Sequence, residues 1–514
     1  MFRKLGYILH FIQLVKELVF RSILYYNRIH IELFIGICLF SAGTAMLETQ
    51  SLTTTSILKP SELPQVLVQL SKEGWKPALL ESQKTFLKLA EIKEEIVNLI
   101  VPSERGLPPG VVSGDVFFKE TDLAYIVITI PGFFLDTEGE TQPQLEIGII
   151  SNGNVGLNER LIFFSKAIEN AIQKIINDKK NEIITFDWQE QKPSTPRLDK
   201  IIAAGEEASG LKLTRAKRIP EEVEAANTLS EKLARDTLID LSKAGFARER
   251  DILGRKNKDD IREAITQLKN AGLLNTEYLL ECKRTGSPLT RLKNRQQLDN
   301  SDVANLGCPS YGQSFSEETL SEGYSLTEIG RQMSRQSHWM TVWVTDKLTK
   351  LGVPEESILW NISEAGEEVD LLVEYLGQLW LFELKDREFG AGDAYPLNYR
   401  QVRYGATKTI IFTTAKVSKD AKRVLEDLAR EARSNRSRYL LGEPKVSAQS
   451  HLIYIEGLKG AEDILHREVS EASLRYARQK LRLLNNISGY DFGKILSARF
   501  EKTPENQLEE DVDE

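Results

Sequence analysis

The chain has 514 residues, of which 41% are hydrophobic and 28% charged, and its formal net charge is -8 at pH 7. This length predicts about three domains. The acidic balance excludes nucleic-acid binding through overall charge, so any such contact needs a local basic face. The three cysteines, Cys38, Cys282 and Cys308, are too scattered for a disulfide framework and favour a cytoplasmic location.

Residues 1–50 form a hydrophobic N-terminal segment with interspersed basic residues. Its uncharged run, Leu33 to Leu47, has 15 residues, whereas a spanning helix needs about 20. Two interpretations stay open. One is a membrane anchor through residues 1–47 with a basic cytoplasmic flank. The other is a true start at Met46, with residues 1–45 untranslated. A signal peptide is disfavoured because the charged first part is too long.

Residues 60–188 predict an α+β domain of unknown function. Helical spacing alternates with strand-like runs, and the last strand is expected at Glu182–Trp188. The segment has no glycine-rich phosphate loop, paired acids or nucleophile signature, so it indicates no chemistry. Residues 189–227 are interpreted as a linker because their first part is rich in proline and serine.

Residues 228–281 predict three helices and then a strand, an order that resembles a winged helix-turn-helix. Such a module would present its third helix to a DNA groove or backbone. Docking to another protein is the alternative. The basic side chains expected to contact nucleic acid are Arg255, Lys256, Arg262 and Lys269.

Residues 282–324 resemble a zinc ribbon that has lost its metal. Cys282 and Cys308 are each followed four residues later by glycine, as in a Cys-x-x-Cys-Gly knuckle. Thr285 and Tyr311 stand where the second cysteine of each knuckle would be. Two thiolates cannot close a tetrahedral site, so the sequence predicts no zinc. Two unrelated cysteine-containing loops are the alternative.

Residues 325–458 predict the element order α-β-β-β-α-β, with a hairpin at Glu367–Asp386. A two-residue turn at Leu376 and Gly377 would place Asp370 directly opposite Glu383. Lys385 would then lie on the same face, two residues further along. The opposite face would be apolar, and a slip of one residue would drive an acid into the core, so the register is well specified.

Asp370 with Glu383-x-Lys385 on the next strand resembles the PD-(D/E)xK nuclease superfamily, over about Ser325 to Arg433. The resemblance implies a restriction-endonuclease-like fold and Mg²⁺, with Mn²⁺ as an alternative, held by Asp370, Glu383 and the carbonyl of Leu384. Lys385 would orient or activate the attacking water. Hard oxygen ligands suit Mg²⁺, and the cation would stabilise charge on the phosphate.

The resemblance has two departures. The proline of the family name is absent before Asp370, and neither Glu328 nor Asp346 on the first helix falls in the family pattern. Glu364 and Glu367 are nearer candidates for an additional acid. The loop after Lys385 carries two glycines and is expected to form a mobile rim.

The fold class expected for the whole chain is a multidomain α+β or α/β protein, with a C-terminal helix at 459–500 and a disordered acidic tail at 501–514. The implied function is an endonuclease that hydrolyses phosphodiester bonds, in DNA more than RNA, in restriction-like defence or repair. The rival hypothesis is a catalytically inactive nuclease-like protein that binds nucleic acid or another protein.

Overall fold

In the computed structural model, the chain is a mixed α+β protein with two compact units, residues 1–193 with 470–514 (unit 1) and residues 194–469 (unit 2). The described residues are 47–58, 62–81, 113–119, 122–129, 143–151, 156–180, 184–191, 198, 200–203, 211–253, 258–335, 337–364, 367–436 and 451–488. The N-terminal segment before Leu47, the acidic tail, Arg255 and Lys256 lie outside them. Within these ranges, every helix is too short or too polar to cross a membrane.

Unit 1 is built on a five-stranded antiparallel sheet with the order β2-β3-β4-β1-β5. Its strands are β1 (Glu48–Thr55), β2 (Ser113–Lys119), β3 (Asp122–Thr129), β4 (Gln144–Ser151) and β5 (Gln189–Glu190). Helices α1 (Leu63–Lys72) and α2 (Leu157–Lys180) cover one face. The C-terminal helix, whose residues from 470 onwards belong to this unit, buries Leu474, Leu481 and Leu484 with side chains of the other face.

The strand predicted at Glu182–Trp188 is wrong over its described part, since only Gln189 and Glu190 pair with β1. The aromatic side chains of Phe186 and Trp188 make packing and hydrogen-bond contacts. Phe186 and Trp188 stack with their centroids 5.9 Å apart, and Trp188 Nε1 donates to Glu169 at 2.6 Å. The segment is therefore held by side-chain contacts rather than by a backbone ladder.

Part of the segment interpreted as a linker has regular structure in unit 2. It contains β6 (Leu211–Arg215) and α3 (Pro220–Thr228), and Leu198 is buried in the core of the main sheet. The proline at the start of α3 fits the first helical turn, where its missing N–H costs nothing. The proline and serine content of 191–200 therefore did not predict the structure of residues 211–227, which are part of the fold.

The middle of unit 2 combines short helices with a four-stranded antiparallel sheet of order β7-β10-β8-β9. Its elements are α4 (Lys232–Ala244), β7 (Ala247–Arg248), α5 (Glu249–Leu253), α6 (Lys258–Asn270), β8 (Leu274–Glu281), β9 (Pro288–Leu292), α7 (Ser301–Ala304) and β10 (Thr319–Leu326). The apolar stripe of α6 is buried, as its spacing predicts.

The rest of unit 2 is a six-stranded mixed sheet of order β15-β14-β13-β12-β11-β6. The elements are α8 (Glu328–Met333), α9 (His338–Lys350), β11 (Ile358–Glu364), β12 (Glu367–Tyr375), β13 (Gln378–Lys385), α10 (Ala391–Tyr404), β14 (Lys408–Thr413), α11 (Lys419–Arg436), β15 (His451–Glu456) and α12 (Ala461–Ser488). Strands β13, β14 and β15 are parallel, and β6, β11, β12 and β13 pair antiparallel.

The hairpin between β12 and β13 has the predicted register. Tyr375 pairs with Gln378 and Leu371 pairs with Phe382, across a two-residue turn. Leu376 and Gly377 both have positive φ, 48° and 74°, as the type I′ turn of a tight hairpin requires. The turn therefore fixes which face of the sheet each residue of the two strands occupies.

Both faces of this hairpin are buried. On one, Leu372 and Leu381 belong to the core formed with Ala394 and Leu397 of α10. On the other, Trp343 of α9 contacts Phe412 of β14, with ring centroids 5.7 Å apart. A sheet covered on both faces leaves only its strand ends for polar groups, and the charged residues of the hairpin lie at such an end.

The positive φ of Gly377 makes it a test of the turn assignment. A Cβ at Gly377 would meet nothing within 4 Å, so Gly377→Ala should cost only the strain of a left-handed residue, about 1 kcal/mol. Gly392 in α10 also has open space around it and lacks a positive φ, so Gly392→Ala should stabilise by about 0.5–1 kcal/mol. Urea unfolding midpoints should move in opposite directions, and a shared direction would contradict the turn assignment.

Candidate functional site

The charged residues of β12 and β13 come together where the paired register ends. The ladder runs from Tyr375–Gln378 to Leu371–Phe382, and the next positions outward on the charged face are Asp370 and Glu383. Lys385 ends β13, beside Thr413 at the end of the parallel strand β14. Ligand sites commonly form beyond the carboxyl ends of parallel strands.

Asp370 continues the hairpin through its side chain. Its Oδ2 accepts the backbone N–H of Leu384 at 2.7 Å. The carbonyl of Lys385 accepts from Thr414 of the neighbouring chain segment, so the backbone groups of Leu384 face the β12 side, since successive residues of a strand alternate. Asp370 and the Leu384 backbone are therefore neighbours, as the predicted metal ligands require.

Glu383 lies between two cations. It is 2% exposed; its Oε1 is 2.8 Å from Lys385 Nζ, and its Oε2 accepts from Arg400 Nη1 at 2.7 Å. A carboxylate this deeply buried needs such partners, because an unpaired charge in the interior is very costly. Arg400 reaches the site from α10. Sequence reasoning missed it, although it lies on the helix that follows the strand of Lys385.

The ionisation of the site reflects burial and the closeness of its charges. Burial and the neighbouring charge of Glu383 raise the pKa of Asp370 to about 7, against the opposing effects of Lys385 and the Leu384 N–H. Burial alone would lower the pKa of Lys385, but Glu383 and Asp370 raise it above its usual value. Lys385 therefore stays protonated at neutral pH, while Asp370 exchanges its proton in that range.

The loop after Lys385 is anchored, which contradicts its prediction as a mobile rim. Phe389 is fully buried and forms a bridge with Val417. Arg387 binds both oxygens of Asp393 at 2.8 and 2.9 Å. The two glycines of the loop do not make it loose, because the start of α10 and the segment after β14 hold it.

Asp386, the residue after Lys385, joins the site to surrounding helices. Its N–H donates to Ser337 Oγ at 3.1 Å, and its Oδ2 accepts from Trp339 Nε1 at 3.2 Å. Its Oδ1 lies 3.4 Å from Arg235 Nε of α4. The guanidinium of Arg235 also lies over the Trp339 ring, 5.1 Å from its centroid. These contacts fix the end of the strand that carries Lys385.

For the two acids predicted as additional ligands, the structure describes only the backbone. Glu364 and Glu367 are opposite one another in the β11–β12 pairing, but their side chains lie outside what the structure describes. From the same segment, Glu368 acts on Asp370 and raises its pKa. The sequence pattern did not single out Glu368, although it shares the face of Asp370 by strand alternation.

The acids of the preceding helices are engaged elsewhere. Glu328 pairs with Arg331 on its own helix. Asp346 is buried and lies 2.6 Å from Lys350 and 3.7 Å from Arg218. With residues of α3 and α6, Asp346 and Arg218 line a cleft of about 780 Å³. Both acids therefore have partners outside the charged residues of the hairpin.

Of the basic residues predicted to contact nucleic acid, Arg262 and Lys269 are described. Arg262 Nε is 3.0 Å from Glu249, and Lys269 Nζ is 3.7 Å from Glu322 and lies over the Tyr324 ring. Both side chains keep a large exposed fraction, 59% and 39%. Each would have to give up an ion pair with an acidic residue to bind a phosphate, and this reduces the free energy that such a contact adds to binding.

The described residues fit Mg²⁺ or Mn²⁺ at this site. Asp370 and Glu383 offer hard carboxylate oxygens on one face. Burial and the charge of Glu383 raise the pKa of Asp370, and a divalent cation would offset both effects. Glu383 would have to give up a contact with Lys385 or Arg400 to bind the ion. The residues that would hold it are Asp370, Glu383 and, through its carbonyl, Leu384.

Comparison with known proteins adds little to this geometry. No family model matches the chain, and no curated protein matches it. Among solved structures, the chain is similar to protein VC1899 from Vibrio cholerae, with 12% sequence identity and a TM-score of 0.27. The match covers 56% of this chain and 58% of that chain, so it spans little more than half of that protein. At this TM-score, the likeness carries no argument about function.

The raised pKa of Asp370 predicts a pH-dependent effect of its removal. Without metal, the folded protein binds this proton up to about pH 7, whereas the unfolded chain releases it near 3.8. Stability from this group therefore falls as pH rises through that window. Asp370→Asn should raise the melting temperature at pH 8 in chelator by a few degrees and change it much less at pH 4.

Asp393 provides the opposite control. The hydrogen bond from Arg387 lowers the pKa of Asp393, so its charge stabilises the fold above the pKa of the unfolded chain. Asp393→Asn should therefore lower the melting temperature at pH 8. If Asp370→Asn also lowered the melting temperature at pH 8, the charge of Asp370 would stabilise the fold. A raised pKa for Asp370 would then be wrong.

Proposed function

We propose that the chain is a nuclease that hydrolyses phosphodiester bonds with Mg²⁺ or Mn²⁺, DNA being the favoured substrate. The observation that carries the proposal is the convergence of Asp370, Glu383 and Lys385 at one end of a sheet whose two faces are otherwise buried. A structural ion pair would need one acid and one base, whereas here a second acid, Asp370, has its pKa raised by burial and by the neighbouring charge of Glu383. Perturbed acids of this kind are typical of functional sites.

The element order supports a restriction-endonuclease-like core. Helix α9 precedes three antiparallel strands, and α10 precedes the parallel strand β14. This is the α-β-β-β-α-β order that the motif resemblance implies. The acids lie on adjacent strands at the position where the hairpin register ends, which is consistent with a site reached from the edge of the sheet.

Each side chain of the site has a distinct expected role. Asp370, with Glu383, would hold the cation, which would stabilise charge on the phosphate and lower the pKa of a bound water. Because Lys385 stays protonated, it would orient the attacking water and stabilise negative charge rather than remove a proton. Arg400 would position Glu383 and, once Glu383 turns to the cation, would offer its guanidinium to a phosphate oxygen.

The middle of unit 2 is proposed to hold the substrate as a winged helix-turn-helix. Helices α4, α5 and α6 are followed by paired strands β8 and β10, as in that motif. Arg262 and Lys269 on α6 would contact the phosphate backbone. The rival function is nucleic-acid or protein binding without catalysis. It would use the same surfaces, but the site of Asp370 and Glu383 would not cleave a substrate.

The first test is cleavage of mixed DNA and RNA substrates by the purified protein, with and without Mg²⁺ or Mn²⁺. Asp370→Asn and Glu383→Gln should each reduce cleavage by on the order of 10²-fold or more, because either change removes a ligand charge. Substrate binding, measured by fluorescence anisotropy in chelator, should stay close to that of the unchanged protein.

Asp420→Asn is the matched control, since Asp420 is an exposed acid paired with Arg423 on α11. It should cut normally. Near-normal cutting by Asp370→Asn would overturn the assignment of the site. Tight binding by the unchanged protein without cleavage under any of these metals would instead favour the non-catalytic rival.

The second test addresses substrate holding. Binding to duplex DNA should weaken with salt, with a log–log slope of about -0.9 for each phosphate contact. Arg262→Glu with Lys269→Glu should flatten that slope by about two units if both residues contact phosphate. Cleavage at saturating substrate should change much less than affinity, because the acids and Lys385 are left intact.

The control for charge is Arg423→Glu with Arg430→Glu on α11, which makes the same change in net charge at two exposed, acid-paired arginines. Its salt slope should match that of the unchanged protein. If the two double variants behave alike, the winged module does not contact phosphate, and docking to a protein becomes the better interpretation of its basic residues.

A further inference from the structure

The two cysteine turns of the middle module have the same backbone geometry. Cys282 N–H donates to Ser287 O and Gly286 N–H to Cys282 O; Cys308 N–H donates to Gln313 O and Gly312 N–H to Cys308 O, all at 2.7–2.8 Å. Gly286 and Gly312 have φ of 69° and 78°. Two equivalent turns, each offering a thiol, are the framework of a metal ribbon.

The fold adds a ligand that the spacing of cysteines could not reveal. Glu318 directly precedes β10, whose Thr319 pairs with Glu281, so Glu318 lies beside Cys282 across the strands. One oxygen of Glu318 and the two Sγ atoms all lie within 4.8 Å of one another. Ligands held by one zinc ion at about 2.0–2.3 Å are slightly closer than this, so a small inward shift would suffice.

Two buried oxygens at this cluster have no geometric hydrogen bond. Glu318 is 8% exposed and its Oε2 accepts the N–H of Lys283 at 2.6 Å. Its Oε1 and Tyr311 Oη have no well-formed hydrogen bond, although Tyr311 and Cys308 lie close enough to interact with the carboxylate. Thr285, by contrast, satisfies its hydroxyl within its own turn through Ser287. A buried carboxylate oxygen whose phenol and thiol neighbours are poorly aligned for hydrogen bonding is costly, and a cation between these groups would pair it.

The segment between β8 and β10 also lacks a core of its own. Among its described side chains from 282 to 318, the buried hydrophobic ones are only Cys282, Leu292, Cys308 and Phe315. So little apolar burial rarely holds a segment of this length, and small modules of this kind commonly depend on a metal. The same two thiols are half of the buried apolar set.

We propose that Cys282, Cys308 and Glu318 bind one zinc-class divalent cation, with Tyr311 Oη completing the site. Thiolates are soft ligands and the carboxylate is hard, a mixture that suits zinc and not Mg²⁺ or Ca²⁺. The charge of Lys283 acts on Glu318, and the guanidinium of Arg284 lies 4.3 Å from the centre of the Tyr311 ring, so positive charge is available near three anionic ligands. The prediction of no zinc counted two ligands; the fold supplies two oxygen donors more.

The test is elemental analysis of the full chain, purified without a metal-affinity tag and dialysed against a weak chelator. About one equivalent of zinc is expected, and Co²⁺ exchanged into the site should give the intense near-ultraviolet charge-transfer bands of thiolate ligation. Cys282→Ser and Cys308→Ser should each lose the metal, and Glu318→Gln should weaken its retention. Cys38→Ser, which removes the remaining cysteine, should keep it, and so should Asp370→Asn.

The cysteine-to-serine variants could lose the metal because they misfold. A variant with added ligands avoids this ambiguity, because its expected effect is stronger metal binding. Thr285→Cys with Tyr311→Cys would rebuild a four-thiolate ribbon, and it should retain zinc at chelator concentrations that strip the unchanged protein. Zinc should also protect residues 283–317 from limited proteolysis. Absence of bound metal, retention of metal by the Cys308→Ser variant, or a Cys282–Cys308 disulfide in the freshly purified protein would each overturn the proposal.

Discussion

The two-residue turn at Leu376 and Gly377 fixes the side on which every residue of the central hairpin lies. With that register, Leu372 and Leu381 share a face with Asp370 and Glu383. A shift of one position would exchange this whole set with Leu371, Val373 and Phe382 and would bury two carboxylates under α9. The apolar residues and the charged residues therefore specify the same arrangement, and this agreement is why the hairpin can hold charges within a buried sheet.

Buried charges such as these add little to the free energy of unfolding. Burying an ion pair costs about as much in lost hydration as the attraction returns. Here the cost is greater, because Asp370 is buried beside a second carboxylate, Glu383, and its pKa rises to about 7. Lys385 and Arg400 compensate Glu383, and only a backbone N–H and the more distant Lys385 compensate Asp370. A fold that carries this strain has kept a group of charges that stability alone would replace with apolar residues.

How far the sequence could predict this structure depended on whether the deciding contacts were local. The hairpin was predictable to the residue, because alternation and turn length act between neighbours on the chain. The broad α+β class followed from the same periodicities. Helix α3 was missed because its residues were assigned to a linker, and its end depends on a tertiary contact in which Arg235 Nη1 donates to the carbonyls of Leu229 and Ser230. A side chain that bonds to freed carbonyls leaves no trace in hydrophobic spacing.

The site residues show the same division. Asp370, Glu383 and Lys385 lie within one hairpin and were found from their spacing. Arg400 and Glu318 were not, because each comes to its site through an element whose position is set by the sheet. Arg400 is brought in by α10, which packs across β13, and Glu318 by a strand that returns after a long excursion from Cys282. Single-sequence reasoning finds the residues of a local motif and misses those that tertiary structure brings to the same place.

The contacts of Asp386 bear on how the helical module and the candidate site work together within unit 2. Arg235 of α4 is 7% exposed, and it connects the end of that module to Asp386 and Trp339. Since Asp386 directly follows Lys385, any displacement of α4 acts on the strand end that positions the lysine. A module tethered only by a flexible linker would hold a substrate without orienting it. A module braced through a buried arginine would instead present a phosphate backbone in a fixed relation to the acids, so that binding and orientation of the substrate come from the same contacts.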